Sequence, residues 1–123
     1  MKILNMKFNR IRFSKEASES LNKMKGRMGL TWNILCRIGF CISLNDLTDL
    51  NPADYRPDGD IEIDRKILIG QEDALYIALL KQRCIHDEIP EEEYMDYFRA
   101  HMNRGAILLS KRIGNIKDLA QLI

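Results

Sequence analysis

Few residues of this 123-residue chain carry the spacing that chemistry needs, and the acidic stretch after Pro57 is the first to weigh. Asp58, followed by Asp64 with Lys66 two positions on, are the residue types with which metal-dependent nucleases hold a cation and steady the attacked phosphate. Here the two elements stand six residues apart, too close for the strand that must separate them, so the stretch reads as a solvated acidic turn. Magnesium-dependent cleavage lost on changing Asp58 or Asp64 to Ala would mark the nuclease reading. Asp58, Asp60, Glu62 and Asp64 also alternate like calcium ligands, but Gly59 is misplaced and the twelfth position, Ile69, is no closing Glu.

His86 and His101 are the only histidines, and Cys36, Cys41 and Cys84 have neither CxxC nor zinc spacing. The thiols read as small buried hydrophobes, reduced in a cytoplasmic protein without a secretory leader. A Cys-His nucleophile pair would need an orienting third group that nothing here locates. Gly26 and Gly29 lack the preceding buried strand and the Lys-Ser/Thr ending of a phosphate loop. No catalytic residue, metal or cofactor is assigned.

What the sequence does offer is segregated charge. Residues 1–45 carry nine cations against two Glu, a net +7, residues 46–98 carry −10, and residues 99–123 carry +4, although the whole chain sums to +1. Either the basic head binds phosphates, or head and acidic middle pair between subunits. On the phosphate reading Lys2, Lys7, Arg10, Arg12, Lys15, Lys23, Lys25 and Arg27 form the DNA-binding set. The cluster His101, Met102, Asn103, Arg104, Gly105 reads as an exposed helix face on which Gly105 permits close helix contact, or as a second phosphate surface.

The elements that must position these side chains follow from periodicity. Lys7 to Phe13 alternates, with Phe8, Arg10 and Arg12 on one pleat face and Asn9, Ile11 and Phe13 on the other, a short strand that must pair with another segment or with its copy in a second chain. Ser14 caps a helix with Ala17, Leu21, Met24 and Met28 inward and lysines outward, which Gly29 ends. Thr31 caps a second helix from Trp32 to about Leu44, apolar nearly all round, so self-association is expected to complete its burial. Asp60 to Asp64 alternates as a short strand, and Lys66 to Ile69 continues as an extended segment or hairpin. A third helix runs from Gln71 to about His86 with two apolar faces, which implies central packing. A fourth and longest begins after Pro90, where three Glu suit a helix N-terminus, and ends at Gly114 before a terminal helical turn over residues 115–123.

The fold class is therefore mainly α: one domain over residues 1–123, a short N-terminal strand followed by four helices in a compact unit, with a ribbon-helix-helix-like start. At 46% hydrophobic and 30% charged residues, a soluble core is expected. The longest apolar run, Trp32 to Leu44, falls short of the roughly 20 residues that span a bilayer, so no membrane contact is read. A strand, helix, helix start with cations on the strand also fits a ribbon-helix-helix transcription regulator, which would show a palindromic site and strong sequence preference.

Three blocks carry a family resemblance. Gly29, Leu30, Thr31, Asn33, Leu35, Cys36, Arg37, Ile38, Cys41, Ser43 and Leu44 form the first; Ile69, Gly70 and Glu72 leading to Ala78, Leu79, Leu80 and Lys81 the second; His101, Asn103, Arg104 and Gly105 the third. In order and length the chain resembles the DndE family of bacterial DNA sulfur modification systems. The resemblance implies a system that replaces a non-bridging phosphate oxygen of DNA with sulfur, where a cysteine desulfurase, an iron-sulfur protein and an ATPase carry the chemistry. It implies for this chain a non-catalytic, DNA-associating accessory part without a cofactor, a homo-oligomer and specifically a tetramer, acting with the other proteins of that system. Chemistry at the backbone suits a partner that grips phosphates rather than base edges, and further implies a preference for nicked duplex DNA.

Overall fold

The structure, a computed structural model, describes residues 6–113; Lys2 and the expected terminal helical turn lie outside the described residues. The elements are β1 (Arg10–Arg12), α1 (Lys15–Met28), α2 (Trp32–Asn45), β2 (Glu62–Asp64), a one-turn helix α3 (Arg65–Leu68), α4 (Asp73–His86) and α5 (Tyr94–Arg112). Single 3-10 turns precede α4 and α5. The four expected helices are all present. The segment after Asp64, expected to stay extended, instead closes into α3, whose Leu68 and following Ile69 are buried.

The expected alternation holds from Arg10 to Phe13, with Ile11 and Phe13 buried and Arg10 and Arg12 exposed, but not before it: Asn9 is exposed, and Phe8, expected on the outward face, packs against Phe98 with ring centres 5.1 Å apart. Its partner is β2 of the same chain, antiparallel, with Arg10 opposite Asp64, Ile11 opposite Ile63 and Arg12 opposite Glu62. Backbone bonds from Phe13 N to Ile61 O (2.9 Å) and from Arg65 N to Asn9 O (2.8 Å) extend the ladder at both ends. The strand thus finds its hydrogen-bonding partner without a second copy.

Helix α1 is capped as its sequence dictates. The Ser14 hydroxyl accepts from Ala17 N over 3.2 Å, and Gly29, at φ +70°, turns its N–H back to Lys25 O over 3.0 Å. Ala17, Leu21 and Met24 are its buried stripe. Thr31 stands at the start of α2 but makes no side-chain capping bond.

Helix α2 packs chiefly along α5, and the crossing is set by two glycines. A Cβ built on Gly39 would stand 2.6 Å from both the carbonyl carbon and the oxygen of Gly105, so the two backbones touch directly. Around this point Phe40 lies 5.3 Å from Phe98 and 5.9 Å from Tyr76, ring to ring. The single chain covers α2 only in part, which is where self-association is expected to complete its burial, and the central packing expected of α4 is corrected. Along α2, Leu35, Cys36, Gly39, Phe40 and Ser43 are buried while Ile34 and Cys41 stay exposed. Along α4, Ile77, Leu80 and Cys84 face the core, whereas Leu75, Leu79 and Ile85 face outward. No helix among the described residues is long and apolar enough to cross a membrane.

Candidate nucleic-acid interface

Of the eight cations read as a DNA-binding set, seven are described, and all seven are exposed. They fall into two groups. Lys7, Arg10 and Arg12 surround β1, and Lys15, Lys23, Lys25 and Arg27 lie along α1. Twelve residues of helix place Lys15 and Arg27 about 18 Å apart along the axis. Three of the four cluster in the last two turns, where positive charge also complements the C-terminal end of the helix dipole. Lys25 is held in place by the face of Trp32, its Nζ 4.6 Å from the ring centre. None of Lys7, Lys15, Lys23, Lys25 and Arg27 forms an ion pair with an acid among the described residues.

Arg10 and Arg12 differ. One carboxylate, Glu62, is clasped between them: Oε1 lies 3.0 Å from Arg10 Nη1 and Oε2 2.7 Å from Arg12 Nη2. Asp64 adds a looser contact, 3.7 Å from Arg10 Nε, and Arg12 Nη1 donates to Gly59 O over 3.1 Å. The antiparallel register produces this, since residues 10, 12, 62 and 64 all project to one face of the two-stranded sheet.

The third block is where expectation and structure part most clearly. His101, Asn103 and Arg104 are neither an exposed face nor a phosphate surface; all three are buried. Arg104 donates through Nη2 to Ser43 O (2.8 Å) and Asp46 O (3.0 Å) and through Nη1 to Thr48 O (3.0 Å). Arg83 reaches the same end of α2, donating to Leu44 O over 2.7 Å while its Nε pairs with Asp87 at 2.7 Å. Two guanidiniums therefore serve the carbonyls that α2 leaves unpaired at its C-terminus. Asn103 accepts from Ser14 N over 2.8 Å and so ties α5 to the start of α1. Spacing within one segment could not reveal these partners.

The remaining chemical candidates are also engaged. Asp58 accepts from the Lys15 N–H at the head of α1 over 3.1 Å, and Asp64 lies against Arg10. No group of three His, Cys, Asp or Glu among the described residues could hold a metal ion. Cys36 and Cys84 are buried as expected, and burial raises both thiols, Cys84 to about 12. Cys41 is exposed, a correction, and partial burial raises its thiol too. None has the lowered pKa of an activated nucleophile. Arg37, in the first block, donates to Leu68 O (2.8 Å) and Ile67 O (3.0 Å) and so fastens α3 onto α2.

The model of the family described as DNA sulphur modification protein DndE matches residues 10–117. The chain belongs to the DndE family. Among solved structures, it is similar to a crystal structure of DndE from Escherichia coli B7A involved in DNA phosphorothioation modification. The identity is 24%, with 82% of this chain and 97% of that one covered, at a TM-score of 0.67. A G21/24K mutant of DndE involved in DNA phosphorothioation is similar at 23% identity, covering 85% and 99% of the two chains, with a TM-score of 0.66. At these identities the likeness establishes the fold. No curated protein sequence matches the chain. The DndE structures share the mainly α fold with its N-terminal strand, and the family match places the chain among DNA sulphur modification proteins.

Proposed function

We propose that this DndE chain is the non-catalytic DNA-gripping component of its sulfur modification system, acting in the cytoplasm beside the other proteins of that system. The observation that carries this reading is the set of exposed cations Lys15, Lys23, Lys25 and Arg27 around the outer side of α1, free of acidic partners among the described residues, together with exposed Lys7 before β1. Such cations contact phosphates without reading bases, which suits chemistry performed on the backbone. Arg10 and Arg12 join the set by exchanging carboxylate for phosphate; Lys2 completes it from outside the described residues.

A single subunit offers few contacts, so the function calls for a homo-oligomer, with a tetramer as the stoichiometry, and the outward apolar side chains of α2 and α4 supply surface for it. An assembly making about six to ten phosphate contacts loses about a thousandfold or more in affinity between roughly 50 and 200 mM salt. Titration of intact and nicked duplexes of one sequence at several salt concentrations tests this, with K23E/K25E/R27E as the comparison. A steep slope that the triple variant flattens supports the reading, and a flat slope for the native chain overturns it. Equal affinity for intact and nicked duplex would reject the further preference for nicked DNA.

A further inference from the structure

We infer that Glu62 acts as a built-in competitor for phosphate, holding Arg10 and Arg12 out of the DNA-binding set until a duplex displaces it. The inference rests on the DNA-gripping reading above and goes beyond it by assigning a role to the acidic strand β2.

Its basis is the geometry of the sheet's outer face. Both oxygens of Glu62 are engaged, one by each guanidinium, at 3.0 and 2.7 Å. That is how a phosphate presents two oxygens to neighbouring arginines. The two guanidiniums remain 61% and 46% exposed, so an incoming anion reaches them without rearrangement of the backbone. The carboxylate itself is only 26% exposed, and its position is set by the β1–β2 register, with Arg12 directly opposite.

Neither a core nor a cap demands this acid. The inward residues Ile11 and Ile63 hold the sheet to the core, and the backbone ladder holds the strands together. A half-exposed ion pair of this kind is worth little on its own, so phosphate can replace it. The consequence is a grip with two tiers: the α1 cations and Lys7 engage first, and Arg10 and Arg12 are released only where a phosphate comes close enough to compete with Glu62.

The test compares the native chain with Glu62→Gln, which keeps the size of the side chain and its hydrogen-bonding oxygen while removing the charge. Asp49→Asn, on the loop after α2, controls for loss of one negative charge anywhere. Binding of a duplex of fixed length is measured against salt concentration, with thermal unfolding confirming that each variant is folded. E62Q is expected to bind about three- to tenfold more tightly than the native chain and to steepen the salt slope by one to two released ions, about 0.9 per phosphate gained. D49N is expected to change affinity less than twofold, roughly the effect of one screened distant charge. In addition, Arg10→Gln should weaken binding more in the E62Q background than in the native one. Equal effects of E62Q and D49N, or an Arg10→Gln effect independent of residue 62, would overturn the inference while leaving the DNA-gripping reading intact. A native chain and an E62Q variant that both bind with a flat slope would overturn the two together.

Discussion

Ser43 and His101 share a hydrogen bond of 2.8 Å, Oγ to Nδ1, inside the α2–α5 crossing. Arg104 Nε donates to the same Ser43 oxygen over 2.9 Å, so the imidazole lies one hydroxyl away from a guanidinium. A neutral ring is what this site requires. Burial first, then the Arg104 and Arg83 charges, push the His101 pKa from 6.5 down to about 3.

Acid sensitivity follows. The unfolded chain takes up the His101 proton as pH falls through 6.5, whereas the folded chain takes it up only near 3. The stabilisation is therefore complete above pH 6.5 and declines on acidification, by up to about 1.4 kcal/mol for each pH unit. Urea unfolding between about pH 7 and 5 reads this window, because the lowered carboxylates Asp46, Asp73 and Asp87 add their losses only at lower pH. His101→Gln should remove about one proton from the slope. A slope unchanged in that variant would contradict the assignment.

The contact of Gly39 with Gly105 leaves no room for a methyl group on either side. Gly39→Ala and Gly105→Ala are each expected to destabilise the chain by about 2–3 kcal/mol, since the atoms met are backbone and cannot turn aside. The double variant should cost less than the sum, because the first methyl already separates the helices that the second would push apart. Denaturant midpoints of the three proteins decide it, and additive losses would mean that the two sites are not one contact.

Gly26 and Gly29 behave differently from that pair and from each other. A Cβ on either meets nothing within 4 Å, but Gly29 holds φ +70° while Gly26 sits in regular helix. Gly26→Ala should stabilise by about 0.5–1 kcal/mol through helix propensity. Gly29→Ala should destabilise by about 1 kcal/mol through left-handed strain. Thermal unfolding measures both, and two shifts of the same sign would show that the turn is not held as described.

The contrast among these residues also explains what the sequence could convey. Ser14, Gly29 and the Ala17–Leu21–Met24 stripe signal through neighbours one or two turns away, and the helices they define lie where periodicity places them. Arg104 gives no such signal, because the carbonyls it serves belong to residues 43, 46 and 48, more than fifty positions earlier. Its charge argues for the surface until the carbonyls left over at the end of α2 are seen to need donors. The candidate interface was legible as composition, a basic head on a strand and a helix. The split within it was not, since the pairing of Arg10 and Arg12 with Glu62 depends on a strand register across fifty residues.

The exposed face of α4 makes the last expectation. Leu75 and Leu79 are 52% and 38% exposed and one turn apart, with Ile85 on the same helix at 62%. Nearby α3 adds Ile67 at 55%, and Arg37 fastens α3 to α2, which carries exposed Ile34. Exposed apolar side chains on three elements of so small a chain are expected to be covered in part by other copies. Because both leucines already face solvent in the single chain, Leu75→Asp with Leu79→Asp should leave subunit stability within about 0.5 kcal/mol for each exchange. It should nevertheless lower the mass in solution to that of one chain of 14.3 kDa. The salt slope of DNA binding should fall with it, since each particle would then present only one basic head. An unchanged mass would move the subunit contact elsewhere, and an unchanged slope in a true monomer would show that one chain holds the duplex unaided.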